Sequence, residues 1–239
     1  MQKVDILAIG VHPDDVELSC SGTILKHISM GKSCAILDLT KGELGTRGSA
    51  ELRTVEAENS AKLLGLTFRE QLDLKDVFFE NNEYSIKEIC KVIRACQPEI
   101  ILANAIDDRH PDHGRAAKLI ADACFYAGLS KIETQLNGVK QAAWRPKALY
   151  HYIQDHYIHP DFVVDVTEYA EKKRESIMCF SSQFFDPKSA EPQTPISSPE
   201  FIESLFAKMS IWGRAIGVKY AEGFTVARYP GVTNLFDLI

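Results

Sequence analysis

The 239-residue sequence predicts an α/β fold: a doubly wound, mostly parallel sheet flanked by helices, with an elaborated C-terminal region. Three observations predict it. Short apolar runs alternate with segments of helical periodicity through the first half of the chain, the succession expected of a parallel sheet. At 45% hydrophobic the chain can bury one sizeable core, and no Pro/Gly/Ser-rich linker divides it, so residues 1–239 read as a single domain. Two motifs rich in His and Asp each come directly after an apolar run, and such folds place their ligands outside the C-terminal ends of the strands.

Val4–Val11 is the first apolar run, followed by a helical pattern from about Val16 to Met30 and a second run at Cys34–Leu39. Glu51–Leu64 reads as a helix ended by Gly65, and Phe68–Leu72 as a weaker strand. Ser85 with Glu88 forms a capping box, opening a helix whose apolar face is Ile86, Ile89, Cys90 and Ile93 and which stops at Gln97-Pro98. Glu99–Ala103 is a continuous apolar run of the kind buried on both faces and reads as the fourth strand. Gly114–Gly128 is the most regular helix. Ala148–Ile153 and Phe162–Val166 read as strands, Glu168–Phe180 as a helix and the four-proline segment Phe185–Pro199 as an irregular loop. The common doubly wound order sets the first and fourth strands side by side, which brings the two His- and Asp-rich motifs at their C-terminal ends to one crevice.

The net charge of −6 and the lack of a clustered Lys/Arg run argue against nucleic acid or an anionic membrane as partner and for a small molecule. No stretch resembles a secretory signal or a membrane span, and the six cysteines are scattered without a C-x-x-C pair. A cytoplasmic protein with reduced thiols is therefore expected.

The first motif, His12-Pro13-Asp14-Asp15-Val16-Glu17, could be a helix start, since Pro and acidic residues suit the first turn. That reading leaves His12 unexplained, because histidine is a poor N-cap. The second motif, His110-Pro111-Asp112-His113, has the same two readings, but two histidines and an aspartate packed after a buried strand favour the complementary half of a metal site. His12, Asp15 and His113 are read as ligands of one Zn²⁺ with a position left for water, the catalytic arrangement; Fe²⁺ would also accept two histidines and a carboxylate. Asp14 is then the general base, His110 the group that stabilises the oxyanion or protonates the leaving amine, and Asp112 the residue orienting the His110 ring. A third His-Pro-Asp, His159-Pro160-Asp161, lacks a second ligand and reads as a turn, and His151, His156 and His159 read as wall or surface residues.

Thr40–Gly48 comes after the second strand without a dinucleotide fingerprint, which argues against a nicotinamide or flavin cofactor; it fits a flexible loop or a cover over substrate, with Glu43 a candidate contact. Arg53 fits a surface charge on its helix or a donor reaching into the crevice. A metal phosphoesterase, which generally pairs two metals, and a non-catalytic sugar-binding module compete with a hydrolase acting on an amide.

These residues resemble the LmbE/PIG-L N-deacetylases, zinc enzymes acting on N-acetylglucosamine conjugates. The resemblance rests on both His-Pro-Asp motifs, on Thr40–Gly48, on Arg53 with Glu56, and on Ile216-Gly217-Val218-Lys219-Tyr220-Ala221-Glu222, which is similar to the closing segment of the bacillithiol-pathway branch. It implies a Rossmann-like fold, zinc on His12, Asp15 and His113, Asp14 as base, His110 at the oxyanion, and sugar-hydroxyl contacts from Arg53 and Asp76. It also implies a homo-oligomer and deacetylation of N-acetylglucosaminyl malate, with a chitooligosaccharide or an inositol glycoside as alternative substrates. Malate carries two carboxylates, and Arg109 is the candidate cation for them.

Overall fold

The structure, a computed structural model, describes residues 1–238. The chain alternates β1 (Ile6–Gly10), α1 (Asp15–Ser29), β2 (Cys34–Asp38), α2 (Ala50–Leu64), β3 (Phe68–Gln71), α3 (Glu83–Cys96), β4 (Ile100–Ala103) and α4 (Pro111–Ala127). A small hairpin, β5 (Gln135–Leu136) and β6 (Val139–Lys140), precedes β7 (Ala148–Tyr152) and β8 (Phe162–Asp165), after which come α5 (Ala170–Met178), α6 (Pro199–Ala215) and β9 (Ala221–Val226). The main sheet runs β3-β2-β1-β4-β7-β9-β8. Strands β1 to β4 and β7 are parallel, while β9 runs antiparallel between β7 and β8. The expected adjacency of the first and fourth strands is present, with Ile6 opposite Ile100 and Ala8 opposite Leu102.

Every residue of β1 and β2 is buried, because helices cover both faces, and the one charged side chain among them, Asp38 at the end of β2, is paired with Arg69 of β3 at 2.7 Å. On one face Leu7, Ile9, Leu37 and Ile101 pack with Ile89 and Ile93 of α3 and Leu119 and Ile120 of α4. On the other, Ile6, Ala8 and Ile36 pack with Val16, Cys20 and Ile24 of α1. Fully burying one such Leu or Ile contributes roughly 1.5–3 kcal/mol.

The C-terminal region adds a further layer over α1: Leu18 packs with Phe180, Phe184, Leu205 and Phe206, so α1 is buried from Asp15 to Leu25. Burial of its polar backbone is compensated by charge. Glu222 of β9 accepts from the amides of Gly22 and Thr23 at 3.0 and 2.7 Å, and the fully buried Lys173 of α5 bonds Glu222 at 2.7 Å and the carbonyls of Glu17 and Leu18. Gly22 has no room for a side chain here, since a Cβ would stand 2.9 Å from Glu222 and from Val166.

The structure corrects three sequence readings. The capping box at Ser85 is replaced by Asn82, whose side chain accepts from the Ser85 amide at 3.0 Å; the helix starts one turn earlier and Ser85 is buried inside it. The helix read from Gly114 begins at Pro111, which puts Asp112 and His113 in its first turn. The segment after the four-proline loop, for which the sequence suggested no element, holds α6, with Pro199 at its first position.

Candidate active site

The segments that follow β1, β2, β3, β4 and β7 meet outside the C-terminal ends of these strands and, with residues of the C-terminal region, line a cleft of about 500 Å³, a size that suits a small ligand. Its walls include His12, Asp14, Asp15, Arg53, Asp76, Arg109, His110 and His113, so these expected site residues converge, while Glu43 and Asp112 lie outside the lining. The ring centroids of His12 and His110 are 4.8 Å apart and those of His110 and His113 5.3 Å.

The first motif turns abruptly from β1 into α1. Asp14 holds φ 117°, a left-handed conformation that costs a non-glycine residue on the order of 1–3 kcal/mol and, at a cleft, points to use. Asp15 then turns back, its Oδ2 accepting from the His12 amide at 2.9 Å. Asp15 also takes Asn104 Nδ2 on Oδ2 at 2.9 Å and Gln154 Nε2 on Oδ1 at 2.8 Å, and its Oδ1 lies 3.2 Å from His113 Nε2. His12 Nδ1 lies 3.8 Å from Asp15 Oδ2, while its Nε2 meets Asp76 Oδ1 at 3.1 Å and Asp112 Oδ2 at 3.5 Å. His113 Nδ1 is bound by Asp108 at 2.5 Å. Each histidine thus has a carboxylate on the nitrogen turned away from Asp15, the pattern that fixes the tautomer and ring direction of metal-ligating histidines.

Charge makes the same demand. Asp14, Asp15, Asp76, Asp108 and Asp112 crowd one site, where the buried Arg53 faces Asp14 and the part-exposed Arg115 pairs with Asp112, two arginines against five carboxylates. Burial opposes charge on His12, but Asp112, Asp76 and Asp15 raise it to about 9; burial likewise opposes charge on His113, and Asp15 and Asp108 raise it to about 10. A divalent cation would answer this excess of anion, and the donors suit one. Among the described residues, His12 with His110 and His113, and His12 with Asp76 and Asp112, bring their ligand atoms within 4.8 Å of one another. In the second set both Asp76 oxygens are engaged, by His12 and by the Leu44 amide at 3.0 Å, and Asp112 accepts from Arg115 and from the Val77 amide.

Asp14 stands apart from the ligand-like atoms. Its carboxylate is buried with Arg53 Nη2 at 3.2 Å, and burial raises it to about 7 despite that guanidinium. Arg53 donates also to the Pro13 carbonyl at 2.5 Å and lies across Gly42, where a Cβ would be 2.0 Å from Nη1. Gly42 has φ +64° and Gly45 donates to its carbonyl, so the Thr40–Gly48 loop is a defined turn at the rim. Arg53 therefore faces the crevice, and α2 carries it there from the N-cap Ser49.

His110 caps α4: its Nδ1 accepts the Asp112 amide at 3.3 Å. Burial and the neighbouring imidazoles lower its pKa, and since Nδ1 accepts the Asp112 amide, the ring proton is assigned to Nε2, which makes it a donor. The expectation that the Asp112 carboxylate orients His110 is corrected. Its nearest oxygen is 4.0 Å from His110 Nδ1, because the carboxylate turns toward Arg115, Val77 and His12 instead; it is the Asp112 amide that holds His110. Asp76, expected to meet sugar hydroxyls, orients His12, and Glu43 braces the Asp76 amide at 2.8 Å. Arg109 is at the exposed rim, paired with Asp155 at 2.5 Å.

Sequence reasoning missed Asp108, Asn104 and Gln154. Asn104 and Gln154 sit just past the ends of the neighbouring strands β4 and β7, a position that would have marked them once that adjacency was known. His151 turns Nδ1 to the Asn104 carbonyl, His156 stands near Asp107 at the surface, and His159 lines a different, apolar cavity beside Trp212.

Comparison with known proteins bears on this geometry. Residues 7–124 match the family model described as PIG-L, GlcNAc-PI de-N-acetylase. An uncharacterized deacetylase, YaiS, of Escherichia coli (strain K12) is 34% identical over 47% of this chain, and the match spans 63% of its own length. A 4-oxalmesaconate hydratase of Pseudomonas putida is 24% identical over 74% of this chain and 73% of its own. Among solved structures, the conserved protein TT1542 of Thermus thermophilus superposes with a TM-score of 0.84 at 31% identity, covering 97% of both chains. The N,N'-diacetylchitobiose deacetylase of Pyrococcus horikoshii does so with 0.76 at 26% identity, over 98% of this chain and 88% of that one. With the family motifs gathered in one cleft and this likeness running the length of the chain, the protein belongs to the PIG-L (LmbE) family.

Proposed function

We propose that this chain is a metal-dependent N-deacetylase that hydrolyses the acetamide of an N-acetylglucosamine conjugate to acetate and the free amine. The observation that carries the reading is Asp14: a buried carboxylate, free of the ligand-like cluster, held toward the cleft by Arg53 beside Asp15. His12, Asp15 and His113 would hold one zinc ion, or Fe²⁺ in its place. When bound, the metal supplies Lewis acidity, polarising the acetyl carbonyl and lowering the pKa of water.

The chain's own residues do the rest. Asp14 takes the proton of the attacking water as its oxygen bonds to the carbonyl carbon, and Arg53 keeps that carboxylate aimed. His110, with its proton on Nε2, donates to the oxygen that gains negative charge; as the C–N bond breaks, the proton held on Asp14 passes to the leaving nitrogen. Asp108 and Asp76 keep the two imidazoles turned inward, and Asn104 and Gln154 fix the Asp15 carboxylate between them. The family of deacetylases and the chitobiose deacetylase neighbour support a sugar N-acetyl substrate.

The finer substrate, N-acetylglucosaminyl malate, rests on the cleft's Arg109 and on the resemblance of the closing segment. That segment's Glu222 is sealed beneath α1, so its likeness bears on architecture more than on specificity. Acetate release from a panel comprising the malate conjugate, a chitooligosaccharide and an inositol glycoside, with metal content measured on the same sample, tests the proposal. Acetate from at least one conjugate at about one metal per chain is expected; no acetate from any, or two metals per chain, overturns it.

A further inference from the structure

The segment that leaves β7 supports two of the proposed ligands at once. Gln154 Nε2 donates to Asp15 Oδ1 at 2.8 Å, while the amides of Asp155 and His156 donate to Asp108 Oδ1 at 3.1 and 2.8 Å. The other Asp108 oxygen holds His113 Nδ1 at 2.5 Å. A shift of residues 154–156 would therefore disturb Asp15 and His113 together. These residues belong to no strand or helix, so their backbone needs an outside restraint.

Lys208, from the middle of α6, provides one. Its Nζ donates to the Gln154 carbonyl and, at 3.3 Å, to the Asp155 carbonyl. Trp212, one turn on, places its ring 5.7 Å from the same ammonium. Burial draws the Lys208 ammonium down to about 8, opposed by Asp155 and Asp108 and aided by Lys173, so it still carries charge at neutral pH. A charged donor bonded to two carbonyls of one segment is a strong local anchor.

We propose that Lys208 is a positioning residue which, by fixing the backbone at Gln154 and Asp155, sets the geometry of Asp15 and His113 and so the affinity of the site for its metal. The inference rests on the ligand set of the proposed function. It gives the C-terminal region a part in the active site in addition to covering α1. Lys208 also lines the cleft, so direct contact with substrate is the rival role.

The test uses the full chain as wild type, Lys208→Met and Lys208→Arg, and reads zinc affinity by chelator competition, the Tm of the zinc-free protein, and kcat and KM for acetate release. For Lys208→Met, zinc affinity should fall about 10-fold or more and kcat with it, while KM stays within about twofold. The zinc-free Tm should hold, and Lys208→Arg, which can still reach both carbonyls, should recover most of the affinity. Unchanged zinc affinity with a raised KM would make Lys208 a substrate contact and overturn the inference. Parallel losses of zinc affinity and zinc-free Tm in both variants would make it a packing residue and overturn it equally. A wild type that takes up no zinc overturns the proposed function and this inference together. One that binds zinc but releases no acetate removes the function alone, and the affinity comparison still decides the role of Lys208.

Discussion

Replacing Asp14 by Asn isolates the proton-transfer role from everything else the residue does. The backbone there sits at φ 117°, and Asn, with Asp, is among the non-glycine residues most at home at positive φ, so the turn into α1 should survive. Arg53 Nη2, 3.2 Å from the Asp14 carboxylate, still finds an oxygen acceptor in the amide. Neither Asp15 nor the two histidines loses a hydrogen bond, because no bond to Asp14 holds them. What disappears is the capacity to accept a proton. General-base catalysis contributes about 10²–10⁴-fold, so kcat should fall by that factor, or about 3–5 kcal/mol of transition-state stabilisation. Zinc content should remain that of the wild type. The assay is acetate release under saturating substrate with zinc measured on the same preparation, and Asp15→Asn, which should lose the metal, is the control. Turnover within about threefold of wild type would refute the assignment of Asp14 as base, given the 10²-fold lower bound for such a group. Loss of zinc in Asp14→Asn but not in Asp15→Asn would reverse the roles of the two aspartates.

Four other perturbations probe the supports. Asp108→Asn keeps size but weakens the hold on His113 Nδ1, and zinc affinity should drop about 10–100-fold, read by chelator competition; unchanged affinity would separate His113 from the metal. Gly42→Ala drives a methyl into the Arg53 guanidinium at a φ of +64°, so Arg53 must leave Asp14 and kcat should fall while zinc content holds; an unaffected kcat would show that Asp14 needs no such partner. Arg109→Ala should raise KM for the malate conjugate more than for plain N-acetylglucosamine, and equal changes would remove it from carboxylate recognition. His151 is held below its ordinary value because burial outweighs its bond to the Asn104 carbonyl. The unfolded chain then takes up the proton at higher pH than the folded one, so this contribution to stability is complete above about pH 6.5 and is lost as pH falls below it. His151→Gln should flatten the acid side of the Tm profile relative to wild type, and an unchanged slope would assign that loss to other groups.

The parts of the fold that were legible in the sequence are those fixed by local pattern. Val4–Val11, Cys34–Leu39 and Glu99–Ala103 announce buried parallel strands by near-continuous apolarity, each holding a single acidic residue (Asp5, Asp38 and Glu99), and adjacency of the first and fourth comes from the connection rules of such sheets. β9 could not be placed the same way: Ala221–Val226 enters between β7 and β8 by long-range pairing, and its Glu222 is acidic yet sealed, contrary to what its composition suggests. Asn82 displaced Ser85 as the cap because both fit a helix start, and the choice falls to which turn packs its apolar face on the sheet.

The same division runs through the site. His12, Asp14, Asp15, His110 and His113 were legible because two short motifs carry them, each on the turn from a strand into a helix. The residues that aim them come from elsewhere: Asp76 from the segment after β3, Asn104 and Asp108 from beyond β4, Gln154 from beyond β7, and Arg53 from α2. Asp112 shows the limit most clearly. Its position two residues after His110 made it the natural partner of that ring, yet as the second residue of α4 it offers His110 its amide and turns its carboxylate to His12. Helix geometry, set by Pro111 at the first position, decides this, because a first-turn amide points back toward the cap while the side chain projects away from it. A motif can therefore name the groups that meet at a reaction centre while leaving open which of them touch. The pairing depends on backbone direction, and here that direction was fixed by a helix starting three residues earlier than its hydrophobic periodicity indicated.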